Sequence, residues 1–230
     1  MKLTVSDLYD LKHTKAEAYL GRFVFPWEAL AGIREMIIAL GKELSADEYD
    51  SPRENVWIAK DATVFPTAWI NGPCIIGHRT EVRHCAFIRG SALIGDDCVV
   101  GNSTELKNVI LFDQVQVPHF NYVGDSILGR GAHMGAGAVT SNIKSDKTLV
   151  VIRNEEQVLP TGLQKMGAML GDFVEVGCNS VLNPGTVIGR NSSIYPTSCV
   201  RGVVPENSIF KAPGKIVEKS ASPAPMNFNQ

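Results

Sequence analysis

The polar side chains that interrupt an otherwise bland central stretch are Arg89 in FIRG, Lys107 in ELKN, and His119 and Tyr122 in VPHFNYVGD, separated by 18, 12 and 3 positions. In a chain that returned on itself every eighteen residues, Arg89 and Lys107 would stack about 5 Å apart along its axis. Two such cations repel unless an anion sits between them, which points to a phosphate or diphosphate; two solvated surface cations are the plain alternative. His119 follows Pro118 and is flanked by Phe120 and Tyr122, a setting that keeps an imidazole neutral and able to accept a proton as general base. A purely structural histidine has the same local sequence. His78 and His84 lie six apart, but no second histidine follows His119 within five positions, so a metal site is not indicated. The five cysteines show no C-x-x-C, which fits neither a disulfide framework nor a zinc knuckle. Phosphate-loop and nucleophile-elbow motifs are missing, and Gly135-Ala136-Gly137 falls within a repeat rather than opening a helix.

That repeat must position these residues. Ile58, Val64, Ile70, Ile76, Val82, Ile88, Ile94, Val100 and Leu106 fall six apart without a slip, and small residues such as Ala62, Cys74, Thr80 and Ala86 follow four positions later. A helix or ordinary strand has no use for period six. A parallel β-helix does, because three short strands make one triangular coil of about 18 residues, with the aliphatic side chain inside and the small residue where the chain turns. The phase continues with small slips through Leu111, Val117, Val123, Leu128 and Met134, and returns from Leu170 to Val200. The expected fold is an all-β solenoid, a left-handed parallel β-helix of hexapeptide repeats with an N-terminal α-helical cap and one ejected hairpin.

Three domain segments follow. In residues 1–55, PWEALAGIREMIIAL reads as an amphipathic helix from Pro26, ending before Gly41, and the segment is expected to fold over the first coil as a cap. The β-helix runs over 56–204, interrupted at about 141–165 by a hairpin that carries TLVVI and then Arg153, Asn154, Glu155 and Glu156. Loops thrown out of a solenoid line binding sites or are tolerated insertions. Residues 205–230 give a C-terminal cap and the tail SASPAPMNFNQ, expected to be mobile. A net charge of −2 without a run of like charges excludes nucleic acid and anionic membrane as partners, and no apolar stretch serves as signal or membrane span, so a cytoplasmic location is expected.

The strings FIRG, GNSTELKN, VPHFNYVGD and MGAGAVTSN, with LQKMGAMLGDFVEVGCNSVLNPGTVIG after them, resemble the acetyltransferase half of bifunctional N-acetylglucosamine-1-phosphate uridyltransferases and of archaeal sugar-phosphate nucleotidylyltransferase/acetyltransferases. The resemblance runs from Phe87 to about Val204, and the hairpin is similar to the archaeal form. It implies acetyl transfer from acetyl-coenzyme A to the amino group of a hexosamine phosphate or nucleotide-linked amino sugar, in a homotrimer, without need of a metal. Carried over, His119 would be the base, Arg89 and Lys107 would hold phosphate, and Tyr122 and Asn142 would position the sugar. Ala136 would offer backbone to the thioester, while Cys178 and Pro196 stand where the family has a coenzyme A-contacting serine and a groove alanine. The chain also differs from the bacterial pattern at His133 and Ile143, and only Lys211 and Lys215 lie near the place of a late arginine. The nucleotidylyltransferase half is missing from the string, so uridylyl transfer is not expected. Two other functions stay open: a sugar-nucleotide-binding module partnering a separate nucleotidylyltransferase, and a purely structural trimer.

Overall fold

The computed structural model describes residues 2–153 and 158–219. From Val56 onward the chain winds into a parallel β-solenoid of about eight turns, the architecture expected from the hexads. Strands of successive coils pair in parallel register: Val56 with Cys74, Cys74 with Ala92, Phe87 with Glu105. The repeating aliphatic residues form the interior column, and Ile76, Val82, Ile88, Ile94, Val100 and Leu106 have no exposed surface. The small residues belong to the same interior. Thr80, Ala86, Ala92 and Cys98 are buried, pointing inward just past each corner rather than occupying the turn itself.

The turn is made by residues in the left-handed region, Arg79, Cys85, Ser91, Asp97 and Ser103 at spacing six, then Asn108, Gln114, Phe120 and Asp125. Two of those later steps shrink to five, which is the slip seen in the sequence: Glu105 pairs with Tyr122 and Tyr122 with Val139, each 17 positions on. Left-handed φ disfavours most side chains, and interior packing and the ladder hydrogen bonds must offset it at every corner. Where glycine follows an aliphatic position the cause is spacing between coils: a Cβ on Gly101 would lie 1.6 Å from the Pro118 carbonyl oxygen.

Val139 pairs with Val181, 42 positions later, so part of the intervening chain leaves the solenoid before Ala168–Leu170 rejoins it beside Ile127 and Leu128. It forms a two-stranded antiparallel hairpin, Val151–Arg153 with Val158–Pro160, closed at its base by a bridge between Ile143 and Lys165. The hairpin folds back over later coils, with Val150 and Ile152 buried near Gly185. Asn154, Glu155 and Glu156 lie outside the described residues, as does the tail 220–230.

The start of the N-terminal segment lies lengthwise along the solenoid, while its end, Tyr49–Arg53, pairs antiparallel with Val56–Ala59, the first solenoid strand. Ser6 O accepts from Arg190, Leu8 O from Asp172 N, His13 O from Asp113 N, and Lys15 pairs with Asp96. Asp96, Asp113 and Asp172 occupy one corner in different coils, and each also accepts a backbone N–H of the neighbouring coil. Burying this strap against the flank places Leu3, Leu8, Tyr9 and Leu20 in the core. The amphipathic stretch becomes a 3-10 turn, Pro26–Gly32, followed by an α-helix, Ile33–Glu43. The turn starts at proline with Glu28 accepting the Val24 and Phe25 N–H groups, which satisfies otherwise orphaned donors. Gly41 stays inside the helix, because a Cβ there would meet the Trp57 ring at 2.4 Å. Among the described residues no helix is long and apolar enough to cross a membrane.

Candidate active site

Strand Glu105–Leu111 lies between Phe87–Ile88 and Tyr122–Leu128. This register sets Arg89 beside Lys107 in adjacent coils, with Arg89 N donating to Leu106 O at 2.9 Å. The cations stack as the spacing implied, yet no external anion is needed to balance them. Arg89 Nη1 lies 2.8 Å from Glu105 Oε1, and Lys107 Nζ lies 3.0 Å from both oxygens of Asp125. Asp125 is 4% exposed and sits in the left-handed region with φ 49°. It accepts further hydrogen bonds from the side-chain amides of Asn108 and Asn142, and Asn142 also donates to Tyr122 Oη at 3.2 Å. Four hydrogen bonds from three side chains satisfy a carboxylate whose burial would otherwise be costly. Burial first, then the Asp125 and Glu105 carboxylates, push the Tyr122 phenol above its ordinary range, so it remains a hydrogen-bond donor.

Sequence reasoning named Lys107, Tyr122 and Asn142 but passed over the group that joins them. The signal was there: Asp125 lies eighteen positions beyond Lys107, the same interval that paired Lys107 with Arg89.

The second group of residues lies at a corner. His119 is exposed at the end of strand Gln116–His119, and Phe120 beside it is 61% exposed. Within one chain the imidazole thus stands on an open corner rather than in the partly apolar groove expected from its neighbours. Its backbone is fixed, since His119 N donates to Asn121 Oδ1 and His119 O accepts from Gly137 N at 3.0 Å. Its ring makes no hydrogen bond among the described residues.

Below it the corner repeats coil by coil. Ala136 O accepts from Asn179 N and Cys178 O from Thr197 N, both at 2.8 Å. His119, Ala136, Cys178 and Pro196 therefore occupy equivalent places in successive coils. Cys178 and Pro196 are exposed and Ala136 is partly so. Neither Ala136 N–H nor Cys178 N–H has a hydrogen-bond partner among the described residues, leaving a column of backbone donors along an open edge. Such donors suit an extended amide-bearing chain or a developing oxyanion. Two residues, Phe120 and Asn121, separate this corner from Tyr122 and the Asp125 cluster.

Other singled-out residues are occupied elsewhere. His78 pairs with Asp61 and His84 with Thr67, while His133 pairs with Glu175 at 2.8 Å. Cys74 and Cys98 are buried, which pushes both thiols well up. A cleft of about 850 Å³ lies between the N-terminal helical elements around Tyr19, Phe23, Met36 and Leu40 and holds none of the predicted site residues.

Comparison with known proteins adds to this geometry. The GMPPB C-terminal domain family matches residues 70–161. The chain is 28% identical over 212 residues to the bifunctional protein GlmU of Methanococcus maripaludis, covering 91% of this chain and 51% of that protein. It is 30% identical over 126 residues to the bifunctional sugar-1-phosphate nucleotidylyltransferase/acetyltransferase of Sulfurisphaera tokodaii, 55% of this chain and 31% of that protein. An uncharacterized acetyltransferase, YaiX of Escherichia coli, is 28% identical across 69% of this chain and 76% of its own length. Among solved structures, the acetyltransferase domain of PglB from Neisseria gonorrhoeae in complex with acetyl coenzyme A matches with a TM-score of 0.38 and 17% identity, over 71% of this chain and 57% of that one. The chain spans about half the length of its bifunctional relative GlmU. It is a relative of the bifunctional GlmU and sugar-1-phosphate nucleotidylyltransferase/acetyltransferase proteins, and against the first of these its match fills the share of length that an acetyltransferase half alone would fill.

Proposed function

We propose that this protein transfers an acetyl group from acetyl-coenzyme A to the amino group of an amino sugar phosphate or nucleotide-linked amino sugar. The observation that carries the reading is the corner itself: His119 stands three positions before Tyr122, above the Ala136 and Cys178 N–H groups that have no partner among the described residues, and Tyr122's neighbours Asn142, Asp125 and Lys107 form a ready-made polar floor. The acceptor sugar lies over Arg89, Lys107, Tyr122 and Asn142. The thioester lies along the Ala136, Cys178 and Pro196 edge. The amine nitrogen attacks the thioester carbonyl carbon, His119 takes the amine proton, backbone N–H groups hold the oxyanion, and the carbon–sulfur bond breaks to release coenzyme A. Arg89 keeps guanidinium donors free beyond its single bond to Glu105, which suits an acceptor phosphate.

A groove for His119 requires a second wall. Trp69 and Phe87 are exposed neighbours, at 54% and 38%, in the column that continues through Glu105, Tyr122 and Val139 to Val181, and a homotrimer packed through that face supplies the wall. We place this activity in the cytoplasm. A second reading, a sugar-nucleotide-binding module serving a separate nucleotidylyltransferase, is favoured by Arg89 and Lys107 on the sugar side beside Cys178 and Pro196 in place of the family's serine and alanine on the coenzyme A side.

Calorimetric titration with acetyl-coenzyme A, glucosamine-1-phosphate and UDP-N-acetylglucosamine, followed by a thiol-release assay, separates the two. Binding of acetyl-coenzyme A together with a sugar phosphate, and thiol release, supports transfer. Sugar-nucleotide binding without coenzyme A overturns transfer in favour of the module.

A further inference from the structure

We infer that Asn108 is a positioning residue through which the N-terminal helical segment holds the acceptor site in its working arrangement; this rests on the reading of the Asp125 cluster as that site. The Asn108 side-chain amide has two protons, and each goes to a different part of the fold. One is donated to Leu30 O at 3.2 Å, in the turn Pro26–Gly32, and the other to Asp125 Oδ1 at 2.9 Å. Leu30 is 3% exposed and belongs to the buried face of its turn, so the carbonyl is a fixed anchor. Asp125 in turn sets Lys107 and Asn142, and Asn142 sets Tyr122. A segment that winds along the outside of the solenoid thus ends its chain of contacts on the residues that face the sugar.

Backbone conformation supports the choice of residue. Asn108 has φ 55°, where asparagine and glycine are tolerated and most others are strained. A conventional surface corner needs only the backbone; here the side chain bridges as well.

The test uses Asn108→Gly, which keeps the left-handed corner and removes the bridging amide, beside Asn108→Asp, which keeps the shape but sets a carboxylate against Asp125. Acetyl transfer is measured with glucosamine-1-phosphate as acceptor. For Asn108→Gly the acceptor KM rises about tenfold while kcat stays within about threefold and the acetyl-coenzyme A KM is unchanged; Asn108→Asp raises the acceptor KM further. An unchanged acceptor KM in both variants, with only a lowered melting temperature, overturns the inference and leaves Asn108 a packing residue. Hydrogen exchange gives a readout independent of turnover. In Asn108→Gly, amides of Trp27–Ile33 and of Gly124–Ser126 exchange faster together if the coupling holds; faster exchange confined to Trp27–Ile33 overturns it. A wild-type protein that acetylates no amino sugar phosphate defeats the functional reading instead, and the exchange result then decides the coupling by itself.

Discussion

The Asp125 cluster and the His119 corner lie on the same solenoid, with Phe120 and Asn121 between His119 and Tyr122, and are built in opposite ways. Around Asp125 one chain supplies everything: a buried carboxylate, four hydrogen bonds to it from Lys107, Asn108 and Asn142, and a brace from Leu30. At the corner, one chain supplies only a backbone edge and a ring exposed to solvent. The difference teaches that a polar site can be preorganised within a single solenoid where side chains of adjacent coils converge, whereas a convex corner can present groups but not enclose them. The first region is closed within one chain, and under the proposed function the second takes a wall from another copy.

The largest expected effect tests the corner. His119→Ala should lower turnover by roughly 10² to 10⁴ with little change in melting temperature, since its exposed ring anchors nothing among the described residues. Unchanged turnover would remove His119 as the base. On the other side of the comparison, Lys107→Ala should weaken the acceptor by about 10- to 100-fold, the worth of a charge-assisted hydrogen bond, while acetyl-coenzyme A binding, measured by calorimetry, stays the same. Equal losses of both ligands would mean that the two regions are not separate.

Gly101→Ala acts on the corner through the backbone. Its methyl group would press on the Pro118 carbonyl, so strands of adjacent coils must part beside His119, at a cost of about 1–3 kcal/mol. Chemical denaturation should show that loss, with coenzyme A binding more affected than acceptor binding; the reverse order would contradict the layout.

The smallest effect concerns the strap. Burial raises Asp113 and Asp172 above the usual carboxylate value of 3.8. The folded state therefore takes up protons more readily than the unfolded one at these positions. Their contribution to stability is greatest below the unfolded value and is lost as pH rises through the folded values. Melting curves from pH 4 to 7 should show this trend in the wild type minus the Asp113→Asn, Asp172→Asn double variant. A flat difference would show that the strap's carboxylates are not burdened by burial.

Much of the fold was legible because a β-helix repeats its physical demand every six residues. An aliphatic side chain must fill the axis and a small one must follow the corner, and Ile76 with Thr80 or Ile94 with Cys98 show both. The stacking of Arg89 over Lys107 followed from coil length alone. The shortened coils at Asn108 and Asp125 were visible only as slips in phase, since nothing in residue type distinguishes a five-residue step from a six-residue one. Gly41 misled for a related reason: after an apolar helical run a glycine reads as a stop, but here it makes room for Trp57.

By itself, then, the sequence determined the solenoid, the order of its coils and the residues capable of chemistry, because these depend on intervals along one chain. Tertiary structure decided what those residues do to one another. The strap runs along the flank because Asp96, Asp113 and Asp172 come into one column only once the coils are stacked, the Asp96 and Asp172 carboxylates accepting from Lys15 and Asp10 N–H and the Asp113 N–H donating to His13 O. Lys107 is a paired rather than a free cation because the left-handed corner at Asp125 turns a carboxylate inward, beneath it. Charges are written in the sequence, but their compensation depends on distances through space, and those exist only after folding.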